Sequence, residues 1–179
     1  MFFLIIYKNQ IPKNSHKCYN KKIERKEQIM NILVSACLIG INCRYDGKNC
    51  LQKQLFEQSK KYTLIPICPE QLGGLSTPRE PVELMTKQNQ IRAKTKSGKD
   101  YTNQFFQGAK ETLKIAQLNQ CQYAILKSKS PSCGYKKIYN GKFDGQLTDG
   151  NGITADVLLN HHIEIYTENE LNLLYQKIK

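Results

Sequence analysis

Three cysteines in this chain share a placing that could do chemistry. Cys37, Cys68 and Cys133 each follow an apolar run, in "LVSAC", "LIPIC" and "KSPSC". In open parallel sheets, ligands bind beyond the carboxyl ends of the strands. If these runs are neighbouring strands, three thiols meet at one rim. A structural zinc site wants four ligands. An iron–sulfur cluster can be held by three, leaving one iron open. Gly134 lets the backbone come close, Pro131 stiffens the turn, and Ser130 and Ser132 offer hydroxyls. The competing reading is plain: thiols at strand ends are often simply buried. The other four of the seven cysteines are differently placed. Cys18 lies in the first 29 residues, Cys43 in the loop "INCRYDG", Cys50 at a helix start and Cys121 at a strand start. They read as structural or incidental.

The elements that must position the three thiols follow from the pattern of apolar residues. Four β-rich runs span 31–38, 62–69, 122–130 and 162–167. None alternates strictly with polar residues, so they read as strands buried on both faces. Helical spacing appears in 49–62, 100–120, 152–162 and 168–179. The clearest helix is 100–120, with Phe105, Ala109, Leu113 and Ala116 on one stripe and Asp100 or Thr102 at its start. Strands alternating with helices imply an α/β fold, a three-layer, Rossmann-like domain with a mostly parallel sheet. Two loops are rich in turn residues, 69–81 and 139–152.

The chain has 179 residues, which suits one compact domain. Residues 1–29 carry seven Lys or Arg against two Glu. Their opening "MFFLIIY" is too short to span a bilayer, which needs about 20 apolar residues. It also lacks the layout of a secretory signal. The expectation is a basic, disordered extension over 1–29 and a single domain over 30–179, beginning at Met30. With no export signal, a cytoplasmic, reducing setting is expected, and disulfides are not. The formal charge of +12 favours anionic partners such as nucleotides or RNA, though the lysines are scattered and form no stripe.

The segments "ILVSACLIGINCRYDG", "IPICPEQLGGLSTPREPVE", "LKSKSPSCG" and "FDGQLTDGNGITADVL" occur in an order that resembles the bacterial thiouracil desulfurase family. The likeness runs from about Met30 to Glu168. It implies a Rossmann-like domain and a 4Fe–4S cluster held by three cysteines, here Cys37, Cys68 and Cys133. It implies removal of sulfur from thiolated uracil, giving uracil and sulfide. At Cys43 the family more often has a small apolar residue, which suits a packing role.

On that reading the open iron, a Lewis acid with affinity for soft sulfur, binds the thiocarbonyl while water attacks the ring carbon. A base must take the proton from water. Glu70, two residues after Cys68, is the first candidate, and Asp46 of "RYDG" another. Ser130 and Ser132 could relay a proton or hold the uracil edge. Arg79 could contact pyrimidine oxygens or a phosphate. Each has a bland alternative: a loop charge for Glu70, a turn residue for Asp46, a cap for Ser130, a surface pair with Glu80 or Glu83 for Arg79. His16, His161 and His162 are poor catalytic candidates. A non-catalytic metal- or RNA-binding module is the main rival, with a desulfurase acting on thiolated tRNA nucleosides as a variant of the leading reading. A metal-free cysteine nucleophile ranks last, because no histidine lies near Cys68 or Cys133.

Overall fold

The computed structural model describes residues 30–57, 62–87 and 90–178. The expected extension over 1–29, and with it Cys18 and His16, lies outside them. In chain order the strands are β1 (Met30–Ser35), β2 (Tyr62–Ile67), β3 (Val82–Lys87), β4 (Gln90–Thr95), β5 (Tyr123–Leu126), β6 (Lys137–Tyr139), β7 (Leu147–Asp149) and β8 (Glu164–Thr167). The α-helices are α1 (Gln54–Glu57), α2 (Pro69–Leu72), α3 (Thr102–Leu118), α4 (Ile153–Asn160) and α5 (Leu171–Lys177).

The four apolar runs form one parallel sheet in the order β2-β1-β5-β8. Ile32, Leu33 and Val34 of the central β1 are fully buried, as a strand covered on both faces requires. Ile32 and Val34 pack with Leu55, Leu171 and Leu174, on the side of α1 and α5. Leu33 packs with Ala116, Ala155 and Leu158, on the side of α3 and α4. These two cores make three layers of helix, sheet and helix. Pro66 can sit inside β2 because β2 is an edge strand and needs no second ladder. Among the parallel strands the first lies between the second and the third. The direction of winding therefore reverses between β1 and β5, which is where such sheets open a crevice.

Helix α3 buries Phe105, Ala109 and Ala116, with Leu113 packed at the edge of the core. The N-cap is Tyr101, not the expected Asp100 or Thr102; Asp100, one residue earlier, accepts the backbone N–H of Thr102 at 3.0 Å. Two further features differ from the sequence expectation. The helix read over 49–62 is a single turn, with Leu55 buried but Leu51 and Phe56 half exposed; residues 58–61 are not described. A hairpin, β3–β4, occupies 82–95, where no element was read. Its strands are only partly covered, so they lack the continuous apolar run of the parallel strands. Val82, Leu84 and Ala93 cap the amino-terminal half of α3 as a third core. The loop over 139–152 carries the hairpin strand β7, paired with β6.

Candidate active site

The chain after β1 tightens into a 3-10 turn over Ala36–Ile39, which buries Cys37 and ends on Gly40 in the left-handed region. It then folds back along itself. Ile41 N–H donates to Ala36 O and Cys50 N–H to Cys37 O, so Cys43 comes to lie beside Cys37. Cys68 joins β2 to α2. The position of α2 depends on two glycines. A Cβ on Gly73 would fall 2.0 Å from Gln104 O, and one on Gly108 would fall 1.8 Å from Pro69 O. After β5, Ser130 shapes the turn to Cys133. Its Oγ accepts the N–H groups of Ser132 and Cys133, both at 3.1 Å. Its carbonyl accepts Gly134 N–H at 2.8 Å, and a Cβ on residue 134 would stand 2.5 Å from that oxygen.

Cys37, Cys43, Cys68 and Cys133 all line one cavity of about 460 Å³ at the carboxyl ends of β1, β2 and β5. That size suits a small-molecule site. Burial pushes the Cys133 thiol up to about 12. The neighbouring Cys37 and Cys68 thiols hold the Cys43 thiol well below its ordinary value, and theirs are pushed up; the Cys68 thiol donates to Cys43 O at 3.6 Å. Cys50 hydrogen-bonds Cys37 from outside the cavity lining. Cys121 is buried at the opposite end of β5.

The candidate residues divide sharply. Glu70 and Arg79 line the cavity and pair with each other, not with surface acids. Arg79 donates Nε to Glu70 Oε2, Nη1 to Ser76 O and Thr77 Oγ1, and Nη2 to Cys43 O, while Nη2 also lies 2.7 Å from Glu70 Oε2 as an ion pair. Four of its five donors are thereby hydrogen-bonded within the protein, so its main part is to hold the site together. Burial raises the Glu70 carboxyl above its ordinary value, against the pull of Arg79. Ser130 lines the cavity with both lone pairs occupied, so its hydroxyl can donate to a ligand but not accept a proton from it. Ser132 is not brought to the cavity. It is buried, and its hydroxyl bonds Thr154 at 2.9 Å. Asp46 is not brought there either. Exposed in its turn, it pairs with Arg44 and accepts Lys48 N–H. His161 caps the end of α4 through Val157 O and lies away from the cavity.

Several residues in or behind the wall escaped the sequence reading. Ser35 is buried at the cavity floor, where its hydroxyl accepts Lys127 N–H at 3.0 Å and reaches Cys133. Glu168 accepts from Lys127 Nζ and from both the N–H and the hydroxyl of Ser128, tying the cysteine loop to the end of β8. Glu83 accepts Phe143 N–H at 3.1 Å and so fixes the β6–β7 hairpin against the cavity. Lys96 and Lys129 reach the cavity with no carboxylate partner among the described residues. Cys43 itself carried no signal, because its loop placing becomes a cavity placing only when the chain folds back.

The donor set fits an iron–sulfur cluster. Four thiols surround one space, and no histidine lines it. Among the described residues no three His, Cys, Asp or Glu side chains converge tightly enough to hold a single metal ion.

A doubly wound parallel α/β domain, with a thiol-lined cavity at the point where its winding reverses, is the class defined by fold and site. The chain belongs to the 2-thiouracil desulfurase family, whose model matches residues 32–170. It is 41% identical over 147 residues to the uncharacterized protein YbbK of Bacillus subtilis strain 168, covering 79% of this chain and 97% of that one. A solved [4Fe-4S]-dependent thiouracil desulfidase, TudS, shares 36% identity and superposes with a TM-score of 0.77, covering 83% of this chain and 97% of that one.

Proposed function

We propose that this chain is a desulfurase that hydrolyses the C–S bond of thiolated uracil, with Cys37, Cys68 and Cys133 holding a 4Fe–4S cluster in the cavity. The observation that carries this reading is the meeting of three strand-end thiols at one crevice, in a chain of this family. When bound, such a cluster supplies a soft Lewis acid for the thiocarbonyl sulfur.

The chain's own residues do the rest. Glu70 takes a proton from the attacking water. Arg79 engages its Oε2, and Oε1 accepts no hydrogen bond from the described residues. A carboxyl raised by burial is a stronger base than a solvated one. Ser130 donates its free O–H to the pyrimidine edge. The wall formed by Glu83 and the β6–β7 hairpin limits water to the reacting molecule. Water adds at the ring carbon, the C–S bond breaks, and the balance is thiouracil plus water giving uracil plus hydrogen sulfide.

Two further points support the setting. The six described cysteines are all unpaired and so available as thiols. Among the described residues no helix is long and apolar enough to cross a membrane. The unpaired Lys96 and Lys129 favour a substrate with an anionic group beyond the base. The test is turnover without air of 2-thiouracil, its nucleoside and its 5′-monophosphate, reading pyrimidine and sulfide together. Equal release of both from at least one of the three is expected. No sulfide from any of them, by protein loaded with iron, would overturn the reading and favour a non-catalytic metal- or RNA-binding module.

A further inference from the structure

We propose that Cys43 is a fourth, displaceable thiolate ligand of the cluster, occupying the substrate's iron when no substrate is present. The inference rests on the cluster reading of Cys37, Cys68 and Cys133, and goes beyond it.

Cys43 is not a cysteine packed among hydrocarbons on every side. It is 2% exposed and lines the same cavity as the three ligands. Its backbone is fixed on both sides. Its N–H donates to Ile41 O at 2.9 Å, and its carbonyl accepts Arg79 Nη2 at 3.1 Å and the Cys68 thiol at 3.6 Å. Arg79, the residue that orients Glu70, therefore also holds Cys43. No other described cysteine outside the three has this placing. Cys50 lies behind Cys37, outside the cavity lining, and Cys121 lies at the far end of β5.

Four thiolates are the usual closed set for a four-iron cluster, and a thiolate is the soft donor that iron prefers. A three-cysteine cluster leaves one iron exposed, and an exposed iron is the one lost on oxidation. A fourth thiolate on a short loop covers that iron at rest. It gives way as the thiocarbonyl sulfur takes its place, and the released Cys43 thiolate takes up the N–H proton that the thiouracil loses on binding through sulfur.

The readout is iron lability rather than turnover. Wild type, Cys43→Ala, Cys43→Ser and, as a remote control, Cys121→Ala are reconstituted without air and treated with ferricyanide. Conversion to the three-iron form is read by electron paramagnetic resonance and by released iron, with circular dichroism confirming the fold. Both Cys43 variants are expected to convert several-fold more of their cluster than wild type and Cys121→Ala. Equal conversion in all four proteins would overturn the proposal and leave the three-cysteine cluster standing. A wild type that holds no iron would remove both.

Discussion

Arg79 donates Nε to Glu70 Oε2 at 2.7 Å and brings Nη2 within 2.7 Å of the same oxygen, in a pair almost closed to solvent on the arginine side. Two effects oppose each other at Glu70: burial raises the carboxyl, and the guanidinium lowers it. Replacing Arg79 with Ala or Gln removes only the lowering effect. The carboxyl then titrates at higher pH, and the acidic limb of the kcat/KM profile moves up. A pH profile of the variant checks this. An unmoved limb would mean that Glu70 is not the base.

Glu70 itself has no substitute in the cavity wall. Glu83, the other carboxylate in the wall, is committed through Oε2 to holding the β6–β7 hairpin and is not a neighbour of the cysteines in sequence, and Asp46 is outside. Glu70→Gln keeps the shape and removes the base, so kcat should fall by about 10²–10⁴-fold, the usual worth of general base catalysis. Iron content should be unchanged. Measuring both on one preparation separates loss of chemistry from loss of the cofactor.

The contact of α2 with α3 passes through Gly73 and Gly108, with no room for a methyl group. Gly108→Ala must push α2 outward, and α2 follows directly on Cys68, its N-cap, and carries Glu70. Overpacking of this kind costs about 1–3 kcal/mol. A lower denaturant midpoint is expected, together with less iron per chain. A variant as stable and as fully loaded as wild type would show that the two helices can slide apart freely.

Glu168 anchors the cysteine loop through Lys127 and Ser128. Burial alone would raise its carboxyl, but these partners outweigh burial and hold it below the ordinary value of 4.5. A lowered folded value means that the charged form is the stabilising one. Its contribution is complete above the ordinary glutamate value and is lost as pH falls through the lowered one. Glu168→Gln should therefore be less stable than wild type at neutral pH, by about 1–3 kcal/mol for the unsatisfied donors. The gap should narrow in acid. Urea midpoints of both proteins across the acid range test the sign.

The strand-end cysteines were legible because the sheet is parallel and buried on both faces. An apolar run then marks a whole strand, and the residue after it marks the rim. Glu70 was legible for the same reason, as a neighbour of Cys68 in sequence. The partners that cross the fold were not. Arg79 reads as a loop charge until the loop over 69–81 bends it back onto Glu70, nine residues earlier. Ser132 and Ser130 look equivalent in "SPSC", yet the turn aims one at Thr154 and the other at the cavity. Asp46 precedes a glycine, and the turn uses its carboxylate locally. The β3–β4 hairpin was missed because its buried apolar residues, Val82, Leu84 and Ala93, are separated by polar and charged ones and carry no continuous apolar signal.

The most direct measurement is iron and acid-labile sulfide per chain, with the visible spectrum, for protein purified without air. Wild type should bind about four irons and absorb broadly near 400 nm. Cys37→Ala, Cys68→Ala and Cys133→Ala should each lose the cluster while remaining folded. A colourless wild type that reconstitution cannot load, or full loading in any of the three variants, would contradict the account.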